Sequence, residues 1–460
     1  MKRKAVVGII LTLLFIGTLT LAFNIQTIKA EPTTWIVDDD GPADFNTIQE
    51  AIDAASNGDT VYVHNGTYIE NVVVNKSVSL IGEDPATTII DGGGRFVKVV
   101  EITANNVTIK NFTLRNNCEV ASWESNNCIY LANFNNTLIQ NNIITSRDGY
   151  GGGIVVIDSS NNNIFGNTIE TTPNIGIRLY STSNNVVFSN SITNSSGIEL
   201  HYNSSNNVIS NNTVIAYGSE NGIAVTQSFN NTVSGNTVKN MSWGIVLSWS
   251  SYNTVSKNII ANNSEYGLPT FGSSYNNISE NTITVNKYDG ICLAQLSDNN
   301  TVYRNDIINN GQAGVTLSSS SYNIIFENNM TNNHYGIRFV KLIETYSNSN
   351  RLHHNNFINN TKQVHAYSQD EYSINIWDNG VEGNYWSDYE DRSPDAEEID
   401  ESGIWDHPYI INENNQDNYP IVPEFPTWTS ILPMLIVLTI ALAICKRRLF
   451  KNSIPTKVSG

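Results

Sequence analysis

The chain has 460 residues, a formal net charge of −18 and only 15% charged side chains. That length can bury a large core, but so acidic a chain offers no basic face for nucleic acid, which is excluded as a partner. The low charge fraction and the crowding of asparagine through the middle of the chain set it apart from an ordinary cytosolic enzyme.

At the N-terminus, Lys2, Arg3 and Lys4 precede an apolar run from Ala5 to Phe23, and Ala30 stands before Glu31. This order predicts a secretory signal peptide over residues 1–30, with an uncleaved membrane anchor as the alternative. Further on, Cys118 and Cys128 flank the segment "EVASWESNN". In an oxidising compartment they would close that loop as a disulfide, two independent buried thiols being the other reading. Cys292 lies inside a repeat and reads as a small buried apolar residue.

From Asn136 onward one phrase recurs, Asn-x-apolar-x-x-Asn-x-apolar. Its first asparagines are Asn136, Asn162, Asn185, Asn207, Asn231, Asn253, Asn276, Asn300, Asn323 and Asn350, spaced 22–27 residues apart. The apolar position two residues on runs from Leu138 and Ile164 to Leu352, and the second asparagine from Asn141 to Asn355. A second phrase, Gly-apolar-x-apolar, interleaves with the first, for example at Gly176, Gly197, Gly222 and Gly244, while "GLPT" at Gly267 breaks the pattern. Alternation at period 2 excludes helical repeats, the lack of fixed leucines excludes leucine-rich repeats, and propeller blades are about twice as long.

What remains is an all-β fold, a single-stranded right-handed parallel β-helix (solenoid) over residues 96–366, in which each repeat is one coil. Coils stack about 4.8 Å apart, so inward asparagines align and their amides hydrogen-bond along the axis as a ladder. The ladder removes the desolvation cost of a buried amide, and glycine is expected to permit the turn that opens the next strand.

Acidic residues crowd residues 367–422, which form an acidic C-terminal cap. Beyond it, the apolar run Trp428–Cys445 is followed by Lys446, Arg447, Arg448 and Lys451. That order predicts a transmembrane anchor over 423–451, a cytoplasmic tail over 452–460 and a body held outside the cell. Its sequence of "PEFPTW", apolar segment and basic tail resembles the C-terminal sorting signals of archaeal surface proteins, in which the tail is cut and replaced by a lipid.

The segment Phe45–Asp84, with "GDTVYV" and "GTY", resembles the opening of pectin-lyase-like right-handed parallel β-helices. The resemblance implies an N-terminal helical cap near Ile48–Ala55 within residues 31–95. The stretch Trp35–Tyr419 looks like the NosD-like group, named for a periplasmic protein linked to copper delivery. "INIWDNGVEGNYWSDY" (Ile374–Tyr389) resembles that group's closing unit, which implies that Trp377, Tyr385, Trp386 and Tyr389 cover the last coil as an aromatic-rich cap. Relatives carry a calcium-type loop there, and the matching positions are Asp400, Ser402, Gly403 and Asp406, with one carboxylate replaced by Ser402.

No compact catalytic set stands out. Arg178 and Glu199 hold the same outward position in successive coils and read as a surface ion pair. Asp289 and Asp306 lie in adjacent registers with Asp298 nearby, a pair that acid and base chemistry would need. His334, His353, His354 and His365 are the local concentration of histidine that a copper site would require. Trp243 and Tyr266 precede repeat positions in neighbouring coils, with Trp249 close behind, and predict an aromatic platform for a polysaccharide laid along the solenoid. The sequence therefore points to a membrane-anchored cell-surface protein that binds carbohydrate or acts in surface adhesion or display. A polysaccharide lyase or glycoside hydrolase with an unrecognised site, and a NosD-like metal-maturation accessory, are the alternatives.

Overall fold

The computed structural model describes residues 31–94, 98–116, 127–146, 152–171, 175–216, 221–342, 345–366 and 373–422. The predicted signal and anchor, Cys118 and Cys445 lie outside the described residues. Among those described, no helix is long and apolar enough to cross a membrane.

The chain forms two compact units, residues 1–168 and 169–460. Both are wound as parallel β-helices, in which the chain visits three sheets in turn. In the first unit, Thr34–Val37, Thr60–Val63, Ser79–Gly82, Thr108–Lys110, Leu138–Gln140 and Asn163–Phe165 pair in parallel as the first sheet. Thr60–Val63 shows why they form: Val61 and Val63 are buried while Thr60 and Tyr62 are half-exposed, the alternation of a strand with one face on the core. A helix at Ile48–Ala54 buries Ile48, Ala51 and Ile52. Thr47 caps it, and the Glu70 carboxylate accepts from the N–H groups of Ile48 and Gln49 at 2.9 and 3.0 Å.

In the second unit the first sheet runs from Val186–Phe188 to Arg351–His353, and the second from Ser191–Thr193 to Tyr385–Trp386. The third, with the longest strands, runs from Ile175–Tyr180 to Lys362–Ala366. Inward positions such as Val233, Val238, Ile245 and Leu247 are fully buried. The asparagines behave as expected. Asn231 Nδ2 donates to Asn253 Oδ1 at 3.2 Å, and the Asn231 backbone N–H donates to the same oxygen at 2.8 Å. Asn236 Nδ2 meets Asn258 Oδ1 at 3.0 Å in a second column. A third column, Asn263, Asn286, Asn310, Asn333 and Asn360, was not visible in the repeated phrase. A serine column, in which each backbone N–H meets the next coil's Oγ, runs through Ser204, Ser228, Ser250 and Ser273.

Two expectations are corrected. In the first copy of the repeat the register is one residue later: Thr137, not Asn136, meets the Asn162 oxygen, and Ile139, not Leu138, points inward. Asn136 and Asn141 instead occupy left-handed backbone at φ 60° and 53°, which asparagine tolerates better than most residues. Second, the repeat glycines are not turn residues. A Cβ on Gly197 would lie 1.9 Å from the Gly222 carbonyl oxygen and 2.6 Å from Val214 Cγ1, so glycine is required by close approach between coils. Gly267 keeps this role, and "GLPT" still yields the strand Leu268–Phe271. Cys128 is fully buried and faces the carbonyls of Leu114 and Thr145, while the partner expected for it, Cys118, lies outside the described residues. Burial pushes that thiol up to about 12.

Near the end of the described chain, the hairpin of Tyr409–Asn412 and Asn415–Asp417 is antiparallel. Trp386 stacks on Phe357 at 4.3 Å and on Tyr409 at 4.1 Å, and Trp377, Trp386 and Tyr389 are buried.

Candidate functional site

Strand alternation in the third sheet of the second unit places one row of residues outward: Arg178, Glu199, Ala224 and Val246, then Pro269, Cys292, Thr316, Arg338 and His365. An outward row is normally wet and polar. Here Ala224, Val246, Pro269, Cys292 and Thr316 are buried although they face away from the core. Beside this floor lie Trp243, Tyr266 and Phe271. The Trp243 ring centroid is 6.3 Å from that of Tyr266 and 5.6 Å from that of Phe271, and Tyr266 continues to Tyr288 at 5.3 Å. The Trp243 indole N–H donates to Glu265 Oε2 at 2.5 Å, which fixes the ring against the next coil.

At the other end of the floor, Arg338 reaches back over two coils to Asp289 at 2.8 Å. The Asp289 side chain is fully buried and that of Arg338 only 12% exposed. The intervening coil completes the cage: Arg338 Nη1 donates to Gln312 Oε1 at 2.8 Å and its Nε to Thr316 Oγ1 at 3.1 Å. Asp289 Oδ1 accepts from the Ala313 N–H at 3.0 Å. Burial raises the Asp289 carboxyl above the ordinary carboxylate range, opposed by the Arg338 charge and these hydrogen bonds. A caged ion pair on the outer face contributes little to a solenoid whose core is already closed, because desolvation offsets most of its attraction. What it does is hold a guanidinium rigidly at the surface beside an aromatic row. His365 follows, stacked on Tyr335 at 4.4 Å. It borders a cleft of about 230 Å³ lined by Lys362, Val364, Trp377, Asn412 and Asn415.

The other sequence candidates divide. Arg178 and Glu199 pair at 2.8 Å, half-buried, as the surface ion pair expected. Trp249 follows the end of the strand that Trp243 opens and is 58% exposed. Asp306 is exposed on the second sheet, away from Asp289, and Asp298 accepts from the Ser321 N–H at 2.6 Å. No acid and base pair assembles from them.

The histidines fall into two places. His334 and His365 flank Tyr335 on the third sheet, whereas His353 and His354 approach each other at 2.9 Å on the first, where His354 also meets Glu382. Among the described residues the one group of three histidine, cysteine or acidic donors that converges is Asp38, Asp39 and Asp40. Among the described residues the four histidines do not converge as one donor set. In the calcium-type loop, Asp406 Oδ1 is taken by the Glu397 N–H at 2.9 Å and by His407 at 2.6 Å, and Asp400 and Ser402 are exposed.

Comparison with known proteins agrees with this architecture. A family model described as a right-handed beta helix region matches residues 98–260, and one described as periplasmic copper-binding protein (NosD) matches residues 202–391. A cell surface glycoprotein of Methanothermus fervidus is 30% identical over 167 residues, which cover 30% of this chain and 26% of that protein. The catalytic domain of a GH87 alpha-1,3-glucanase in complex with tetrasaccharides superposes with a TM-score of 0.51 at 16% identity, covering 78% of this chain and 70% of that one. The same domain in complex with nigerose gives 0.50 at 16% identity over the same shares. At that identity the likeness is one of fold. Fold and comparisons define the class, a right-handed parallel β-helix protein. Over residues 202–391 the chain is similar to the NosD family.

Sequence reasoning found Trp243 and Tyr266 but missed Tyr288, Gln312 and the partnership of Asp289 with Arg338. The two residues are 49 apart, a separation of two repeats.

Proposed function

We propose that this is a cell-surface protein that binds polysaccharide along the outer face of the third sheet in its second unit. The observation that carries the reading is the buried outward row beside Trp243, Tyr266 and Phe271, with the caged Arg338 further along it. Aromatic faces with a few fixed polar groups are the usual means of holding sugar rings, and coil spacing is close to one pyranose unit. Export by residues 1–30, tethering by 423–451 and closure of the ends by the Ile48–Ala54 helix and the Trp386 cluster belong to the same reading. The Methanothermus fervidus glycoprotein supports a surface location. Binding rather than bond cleavage is favoured by Asp289, whose carboxylate is consumed by Arg338 and the Ala313 N–H. A glycan array on the chain without its predicted signal and anchor, run beside reducing-sugar and unsaturated-product assays, tests this. Binding without product is expected; product release from any glycan would move the protein to the lyase or hydrolase class.

A further inference from the structure

The corner that leads from the third sheet to the first in the second unit contains one residue in left-handed backbone immediately before each ladder asparagine. Asn184, Asn206, Asn230 and Asn299 fill it in four coils, at φ between 56° and 58°. Asparagine is a favoured side chain for that conformation, and a bulky ring is disfavoured. Yet Tyr252, Tyr275 and Tyr322 hold the same position at φ 61°, 58° and 59°, exposed by 58%, 53% and 60%. Their sequence mark is the phrase "SSYN", which occurs at residues 250–253, 273–276 and 320–323. Strained backbone that presents a ring to water serves no packing purpose, and such strain concentrates at functional sites.

The rings are also ordered. Tyr252 and Tyr275 stack at 5.1 Å with planes 6° apart, so the column runs along the axis. It is interrupted one coil later, where Asn299 replaces tyrosine, and resumes at Tyr322. Two coils put Tyr275 and Tyr322 about 10 Å apart, so a ring inserted between them sits about 5 Å from each, within the range of aromatic stacking. Asn299 is exposed at the floor of this gap, next to exposed Leu296. Ser251, Ser274 and Ser321 precede the three tyrosines, and their hydroxyls bond the corner backbone, Ser274 Oγ accepting from the Asp298 N–H and Ser321 Oγ from the Asn348 N–H.

We infer that Tyr275, Asn299 and Tyr322 form a slot that takes one pyranose ring of a glycan chain, its faces against the two tyrosines and its hydroxyls on the Asn299 amide. This edge is separate from the outer face of the third sheet and shares with the proposed function only the premise that a glycan reaches this unit. A narrow ridge of rings set among hydroxyls and an amide suits a sugar better than the broad apolar face of a protein partner.

The test uses equilibrium binding of three soluble probes, a β-1,4-glucan heptaose, an α-1,3-glucan tetraose and a galacturonate heptamer. Tyr275→Asn restores the residue used in other coils, so its melting temperature should be unchanged or higher while affinity for the bound probe falls at least tenfold. Asn299→Tyr fills the slot and should abolish binding there to the same degree. Trp243→Ala, on the third sheet, should leave the slot's share of binding intact. Wild-type protein that binds none of the probes, or binding that neither slot variant alters, overturns the slot. Binding lost in Trp243→Ala alone overturns the slot but keeps the proposed function. A concentration-dependent sedimentation shift that disappears in Tyr275→Asn would instead make the edge a contact between two copies, which also overturns it.

Discussion

Asn384 donates both its backbone N–H and its side-chain amide to one carboxylate oxygen of Asp417, at 2.7 and 3.3 Å. The relationship ends a column with a direction. Each ladder asparagine donates forward to the next coil's oxygen, as Asn328 does to Asn355 and Asn355 to Asn384, so the last coil is left with donors. An ionised aspartate only accepts, and Asp417 also receives the Trp386 indole N–H at 2.9 Å and the Tyr419 N–H at 3.1 Å.

Burial nonetheless raises the Asp417 carboxyl from 3.8 to about 6. The folded protein therefore holds that proton through a window in which the unfolded chain has lost it. Stability from this group is greatest below about pH 4 and declines as pH rises to about 6, by on the order of 2–3 kcal/mol. Thermal melts from pH 4 to 6 should show a smaller downward slope in Asp417→Asn than in the native chain. Equal slopes would mean that Asp417 does not titrate in that window.

Removing one rung tests the ladder. Asn231→Leu leaves the Asn207 amide and the Ser204 carbonyl without their partner, at a cost of about 1–3 kcal/mol for the groups orphaned. Urea unfolding should show that loss, with glycan binding retained by the folded fraction. Undiminished stability would contradict the inward placement of Asn231.

The glycine column makes a sharper prediction. Gly197→Ala drives a methyl group into the Gly222 carbonyl and should cost about 1–3 kcal/mol or more, as overpacking does. Asp306→Ala, at an exposed strand position, should change stability by less than about 0.5 kcal/mol. Equal effects would show that the coils can part without cost.

The coil period, the two asparagine columns and the inward valines were legible because each rung must repeat the same chemistry at the same offset. The first copy slipped because "NNTLIQNNIIT" satisfies two registers, and tertiary alignment of Ile139 with Ile109 decides between them. The outer face was less legible. Trp243 and Tyr266 show as aromatics at one offset, but the Arg338 cage is built from different residue types in three coils, and no repeat phrase marks it.

Sequons occur at Asn65, Asn75, Asn106, Asn111, Asn203, Asn240 and Asn277. Asn65 and Asn203 are exposed, whereas Asn231 and Asn276 are buried rungs. Mass spectrometry of protein from the native host should find glycans on Asn65 and Asn203, none on the rungs, and residues 1–30 removed. Unmodified full-length protein in the cytosol would contradict the surface reading.

The most direct measurement of the central claim is the affinity of the chain for its best array glycan, compared among the native protein, Trp243→Ala, Tyr266→Ala and Arg338→Gln. The account predicts at least a tenfold loss for Trp243→Ala and Tyr266→Ala, about 1.4–3 kcal/mol per lost ring, with an unchanged fold by circular dichroism. Full affinity in all three variants, or no glycan bound by the native protein, would contradict it.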